Sequence, residues 1–215
     1  MTTTGPGSEG KPQRARYHHG DLRAAVIEAS FELLAESGPA DFSVARVARR
    51  LGVSTAAPYR HFPDRDHLMA AVATQAATEL TEHLRQAADR AGTDPAERFA
   101  AMAGAYVRYV GDRGAGFNII FAAGLEKLHD AALAEAGRGL TDLMLALALR
   151  ATGGGPEAAL ALLEHQAAAS HGYAMLHLDG FFARRRPDIE TIADLAVAAS
   201  RTLLAGNGGG PPPDA

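Results

Sequence analysis

The sequence predicts an all-α protein, with a three-helix head carrying a helix-turn-helix and a six-helix body behind it. Three observations predict it. Apolar residues recur at helical spacing along most of the 215-residue chain, and no alternating apolar segment reaches strand length. Gly, Pro and Asp-Pro marks also break the stripes at helix-sized intervals. A chain of this length suffices for one large core or two modest domains.

Residues 1–13 are rich in Gly, Thr, Ser and Pro and are expected to form a disordered arm. Leu22, Val26, Ala29 and Leu33 then make a helical stripe that stops at Ser37-Gly38-Pro39. The stretch Phe42 to Leu68, FSVARVARRLGVSTAAPYRHFPDRDHL, carries the densest information. Val44, Val47, Ala48 and Leu51 fall at i, i+3, i+4 and i+7, which gives a short helix one apolar face. Gly52 ends that helix where the chain needs φ > 0. Ser54 is an N-cap candidate, and Thr55 to His61 form a second short segment rich in hydroxyl and ring donors. Helix, glycine turn and helix make a helix-turn-helix, a unit that sets side chains against base edges in a major groove.

Asp64 or Pro63 opens a long helix with Leu68, Val72, Ala76, Leu80 and Leu84 in register, running to about Ala91-Gly92. Asp94-Pro95 starts the next, with Phe99, Met102, Tyr106 and Val110 on one stripe, closing at Gly111 to Gly114. A short helix is expected around Ala115 to Ala123, and a longer one from about Lys127 to Ala151, weakened by Gly137 and Gly139. After the Gly153-Gly154-Gly155-Pro156 loop come Glu157 to Phe181 and Asp188 to Ala205, parted by Arg184-Arg185-Arg186-Pro187. Residues 207–215 are disordered by composition. The expected division is therefore a head over 14–62 and a body over 63–206, nine helices in all.

With no cysteine, disulfides, thiolate metal sites and Cys nucleophiles are excluded. The first residues lack a signal-peptide core, and no run reaches the roughly 18 apolar residues of a membrane span, so a cytoplasmic protein without membrane contact is expected. The net charge of −4 is unevenly spread. Lys11 to His67 carries +2 and Leu68 to Ala215 carries −5. A slightly basic head on an acidic body suits a head that meets phosphates and a body that avoids them.

The Tyr17-His18-His19-Gly20-Asp21-Leu22-Arg23 run, the Gly52-Val53-Ser54 turn, and Tyr59-Arg60-His61-Phe62 followed by Arg65 and Leu68 closely resemble the TetR family of bacterial transcriptional regulators. That resemblance covers about Arg14 to Leu68. It implies a three-helix DNA-binding head, a divergent ligand-binding body and a homodimer. The expected DNA contacts are Arg14, Arg16, Ser43, Ser54, Thr55, Tyr59, His61 and Arg65.

Thr55 is placed to bond a base edge or phosphate, or is a plain first-turn residue. Tyr59 and His61 match family positions that reach phosphates or nearby bases, although Tyr59 could instead bury its ring. Ser43 is an N-cap, a phosphate ligand or both. Arg65, a cation opposing the helix dipole, stands where the family usually has Lys, and a phosphate would explain it. Arg14, Arg16, His18 and His19 make an arm toward the backbone or minor groove, or a solvated tail. With no Cys or carboxylate cluster near His18-His19, no metal site is expected. Pro58 departs from the large apolar residue usual before this Tyr. It removes an intrahelical N–H and crowds Ser54's carbonyl, so the recognition helix starts late or opens as a 3₁₀ turn.

The body has no nucleophile elbow, Gly-rich phosphate loop, HExxH or usefully spaced carboxylate pair, so neither enzyme activity nor a cofactor is expected. Aromatic and Met positions on its stripes suit a core, and collectively an apolar cavity with polar tips. The candidate ligand contacts are Met102, Tyr106, Phe117, Phe121, Leu143, Leu147, His171 and Met175. Ala105 to Tyr109, Phe117 to Phe121 and Ser170-His171-Gly172-Tyr173 resemble a TetR subfamily marked by Trp-His-Gly, with Ser170 in place of the Trp. His171 is a core histidine or a ligand contact.

The Ala-rich helices at about 157–181 and 188–205 are the pair that packs against its twofold mate in this family, or else they cap the monomer core. The sequence therefore points to a homodimeric repressor on a palindromic, double-stranded DNA operator, released when a small apolar effector tilts the long helix. An activator or ligand-independent regulator, and more distantly a small-molecule-binding or catalytic helical protein, stay open.

Overall fold

Local capping chemistry sets most of the helix boundaries. The computed structural model describes residues 22–38, 41–114, 116–122, 124–182, 184 and 187–207. Among these are eight α-helices and two 3₁₀ turns, and no strand. Helix α1 spans Leu22–Ser37 and α2 spans Val44–Leu51. Ser43 Oγ accepts the Arg46 N–H at 3.3 Å to cap α2. Gly52, at φ 68°, closes it, with Gly52 and Val53 N–H groups returning to Arg49 and Ala48 carbonyls.

The third head helix opens as the 3₁₀ turn expected at Pro58 and does not continue as an α-helix. Only Pro58–Arg60 is helical there, as a 3₁₀ turn. Proline has no N–H to give Ser54's carbonyl, so Ala57 N–H takes it at 3.0 Å, one residue earlier. Ser54 supplies that carbonyl rather than a capping hydroxyl, and His61 and Phe62 N–H both return to Pro58 O.

The body holds six α-helices. Asp64 caps α3, Arg65–Arg90, by accepting His67 N–H at 2.9 Å. Asp94 caps α4, Pro95–Arg113, with Pro95 at the first position. Helix α4 closes at Gly114, at φ 62°, within the expected Gly111 to Gly114 stretch, and Gly111 is a contact point, where a Cβ would come within 2.7 Å of Ile189. Helix α5 is Phe117–Ile120, and a 3₁₀ turn covers Leu125–Leu128. Helix α6, Ala131–Thr152, begins later than its stripe suggests because Asp130 caps it, accepting Leu133 N–H at 2.9 Å. Helices α7, Pro156–Leu178, and α8, Ile189–Asn207, complete the chain.

Helix α4 lies at the centre and packs on α3, α6, α7 and α8. The expected stripes on α3 and α4, Leu68 to Leu84 and Phe99 to Val110, are all buried. A polar tie crosses this core: Ser200 Oγ donates to Gln166 Oε1, and Gln166 Nε2 donates to Phe99 O at 3.2 Å. The head packs through α1 on α2, α3 and the end of α4. Among the described residues no helix is long and apolar enough to cross a membrane.

Candidate functional site

The head spends its apolar residues inward. Phe42, Val44, Val47, Ala48, Pro58, Phe62 and Leu68 are buried, and Leu51 and Val53 are half-buried. Ser54, Thr55, Tyr59, Arg60, His61 and Arg65 are exposed along the same stretch, together with Asp64 and Asp66. The Tyr59 ring is 51% exposed, so the alternative of a buried ring does not hold. Ser43 is half-buried and occupied as the α2 cap. Arg65 lies over the Phe42 ring at 5.6 Å and 3.6 Å from the Asp66 carboxylate, which offsets the unfavourable helix dipole. His61 also lines a cleft of about 260 Å³ between head and body, with Arg23, His67 and Asp130. Arg14, Arg16, His18 and His19 lie outside the described residues.

The four arginines of α2 and the turn divide in two. Arg46 Nη1 donates to Asp41 O at 2.7 Å and Ser37 Oγ at 3.0 Å, while Arg50 pairs with Glu32 at 3.2 Å and with Glu36. Arg49 and Arg60 are exposed and form no ion pair among the described residues. Sequence reasoning passed over both. No local signal separated Arg49 from Arg50, since neither has a carboxylate within four residues and Arg50 finds Glu32 and Glu36 only through the fold.

In the body, Met102, Tyr106 and Phe117 surround a cavity of about 20 Å³, together with Met144, Gln166 and Ser170. The other expected ligand contacts lie elsewhere. Leu147 is buried in the core with Leu143 packed against it, and Met175 is half-buried on α7; none of the three lines this cavity. Phe121, 56% exposed, follows the four-residue α5 and lines a separate cleft of about 690 Å³ with Leu125, Leu133 and Arg138. His171 is half-buried and holds Tyr106, its Nδ1 lying 2.7 Å from Oη.

Tyr106 Oη also accepts the Phe117 N–H at 3.1 Å, so its own proton points to His171 Nδ1 and leaves the imidazole hydrogen on Nε2. Burial pushes the Tyr106 hydroxyl up to about 12, and it stays protonated. Gly116 makes this arrangement possible, because a Cβ there would collide with Tyr106 Oη and stand 2.9 Å from Val110 Cγ2. Gly116→Ala is therefore expected to cost about 1–3 kcal/mol, read as a lower midpoint of thermal unfolding by circular dichroism.

Arg113, at the end of α4, joins head, long helix and body. It pairs with Glu28 of α1 at 2.7 Å and with Glu79 of α3, and it lies over the Phe31 ring at 4.7 Å. Gln75 Nε2 donates to Glu28 at 2.6 Å and to Glu79 at 2.9 Å. The Arg113 hydrogen bond holds the Glu28 carboxyl below its ordinary value, and the two carboxylates push the guanidinium further up.

A last surface lies along α7 and α8. Leu160, Leu176, Leu178 and Leu195 are exposed there, with Phe181 just beyond α7. Leu195 lines a groove of about 650 Å³ with Ala168, Ala169, Tyr173 and Ala199. Ala193 and Ala196 instead face inward and are buried, and Ala167 lines the interior cavity. Among the described residues no group of three or more His, Cys, Asp or Glu is placed to hold a metal ion.

A compact helix-turn-helix head, joined by one long helix to a helical body with an interior polar tip, defines the class of bacterial helix-turn-helix regulators with a separate body. Residues 26–72 match the tetR family of bacterial regulatory proteins, and residues 99–200 match a tetracyclin repressor-like carboxy-terminal domain. The chain belongs to the TetR family.

It is 34% identical over 80 residues to the HTH-type transcriptional regulator BetI of Stenotrophomonas maltophilia, covering 37% of this chain and 41% of that protein. To an HTH-type transcriptional repressor of Mycobacterium tuberculosis it is 37% identical over 68 residues, covering 32% and 36%. The chain thus spans about two fifths of the length of these curated relatives. A solved Rhodococcus protein of unknown function is similar over 89% of this chain and 98% of its own, at 29% identity and TM-score 0.68.

Proposed function

We propose that the protein is a homodimeric DNA-binding transcriptional repressor whose heads read a palindromic operator and whose body releases it on binding a small apolar effector. The observation that carries this reading is the head's division of labour: its apolar side chains turn inward and leave Ser54, Thr55, Tyr59, Arg60, His61 and Arg65 outside. In this reading residues 14–62 are the head and 63–206 the body, working in the cytoplasm. Thr55 and Tyr59 meet base edges or phosphates, and Ser43, His61 and Arg65 contact the backbone. Arg49 and Arg60 join them as phosphate partners, with Arg14 and Arg16 as an arm. Both curated relatives are described as transcriptional regulators, one of them a repressor, which favours repression over activation.

The two heads would sit about 34–36 Å apart, one helical turn of DNA. Gel-shift titration of the DNA flanking the gene, at two salt concentrations, tests the reading. A specific, strongly salt-sensitive shift is expected, and no shift with any flanking DNA refutes it. The apolar α7–α8 face supports the dimer. Leu195→Arg should give a folded monomer by sedimentation, whereas an unchanged sedimentation coefficient would move the interface elsewhere.

Effector release rests on Tyr106, Phe117 and Met102, with His171 behind them and Phe121, Leu143, Leu147 and Met175 in reach after rearrangement. A second reading, a regulator without effector, is favoured by the cavity's size of about 20 Å³.

A further inference from the structure

Ser170 is 3% exposed, lies within α7 and lines the interior cavity. Its hydroxyl has no hydrogen-bond partner among the described residues. The other buried hydroxyls are bonded: Ser30 donates to Val26 O at 2.7 Å, Thr81 to Ala77 O at 2.7 Å, and Ser200 to Gln166 Oε1. No sealed side-chain nitrogen or oxygen lacks a partner among the described residues, so the Ser170 hydroxyl, without such a bond, opens onto the cavity it lines and is available to a guest there.

The same cavity contains a ring standing where a guest ring would fit. Phe117 stacks on Tyr106 with centroids 4.4 Å apart and planes 25° apart. It begins α5, a four-residue helix whose N-cap, Gly116, has no side-chain bond to offer. The wall carries no Lys, Arg, Asp, Glu or His. An unpaired charge brought among these groups would lose its hydration with nothing to replace it. Met102 and Met144, unbranched and adaptable, flank the space.

We infer that the effector is an uncharged aromatic molecule bearing one hydrogen-bonding group, which takes Phe117's place against Tyr106 and bonds the Ser170 hydroxyl. This rests on the effector reading above. The cavity of about 20 Å³ is too small for a ring as it stands, and the outward swing of Phe117 exchanges one ring for another. The pocket is thus self-occupied until a competitor of the same shape arrives. If the swing carries the α5 backbone with it, the Phe117 N–H leaves Tyr106 and the α4–α5 corner shifts, a few residues from Arg113 and its ion pairs to Glu28 and Glu79.

Calorimetric titration of the full chain, without DNA, tests the inference with phenol, benzamide and 2-naphthol. Benzoate and benzylammonium serve as charged comparators and cyclohexanol as a non-planar one. At least one uncharged aromatic should bind, with the comparators roughly tenfold weaker or more, and Ser170→Ala should weaken it roughly five- to tenfold. Ser170→Trp, which fills the cavity, should abolish binding; if that variant fails to fold, Ser170→Ala carries the test alone.

Because the chain has no tryptophan, Phe117→Trp supplies a single fluorophore whose emission should shift to the red as benzamide displaces it. Binding by none of the three aromatics at millimolar concentration would overturn the inference. So would equal binding of the charged comparators, or unchanged affinity in Ser170→Ala. Selective binding with unaltered operator affinity would instead refute effector release while leaving the ligand class standing.

Discussion

Arg113→Ala is expected to lower stability by about 2 kcal/mol, which for a chain of this size means a fall of roughly 4–8 °C in the thermal midpoint. The guanidinium is the only cation between the Glu28 and Glu79 carboxylates among their described contacts, and it also covers the Phe31 ring. The pairs are partly hydrated, with Glu28 46% exposed, so the figure stands below that for a fully buried triad. Removing the cation leaves two carboxylates facing one another. Arg113→Met, which keeps most of the contact with Phe31, separates the charge from the packing.

The pH dependence has a definite sign. Glu28 is held below its ordinary value of 4.5, so its contribution is complete above that pH and disappears as pH falls through the lowered folded value. In Arg113→Ala the facing carboxylates repel, and protonation relieves them. The stability gap between wild type and variant should therefore narrow as pH drops below about 4.5. Urea unfolding at pH 7 and pH 4 measures this; a gap that stays constant would show that the ion pairs contribute nothing.

Tyr59→Ala is expected to weaken operator binding roughly tenfold or more, the scale of one lost base or phosphate contact, while stability stays within about 0.5 kcal/mol. The two effects separate because the ring is half outside the core and shares no hydrogen bond with it. Arg65→Ala should act differently: a uniform loss across DNA sequences and a salt slope shallower by about one. Competition titrations with wild-type and scrambled sites distinguish the two. Wild-type affinity in both variants would remove these residues from the interface.

Elements whose boundaries are set by neighbouring residues were legible in the sequence. Val44, Val47 and Ala48 face the core and Gly52 closes their helix in the left-handed region, while Asp94-Pro95 opens α4 at the expected place. Pro58 was legible as well, because a missing N–H is a property of the residue and not of its surroundings. The closure of α4 at Gly111 to Gly114 was legible, with Gly114 as its left-handed cap, but the contact of Gly111 with Ile189 was not, because it depends on a residue far along the chain. Asp130 begins α6 later than the apolar stripe does, since a cap overrides periodicity.

The candidate site follows the same division. Tyr106 and Met102 sit on a readable stripe, but Gln166 and Ser170 reach the cavity through the crossing of α4 and α7, which no local pattern encodes. Arg113 and Glu28, 85 residues apart, meet only once α1 and α4 have docked.

Helix α3 runs unbroken through 26 residues, so at about 1.5 Å per residue it is a rod about 39 Å long. A rod converts angle into distance. Turning it by only about 5° at the Arg90 end carries the Arg65 end through about 3.4 Å, the rise of one base pair along DNA. In the proposed dimer, a small turn of this rod would therefore move each head on the scale at which two heads fall into or out of step with a double helix.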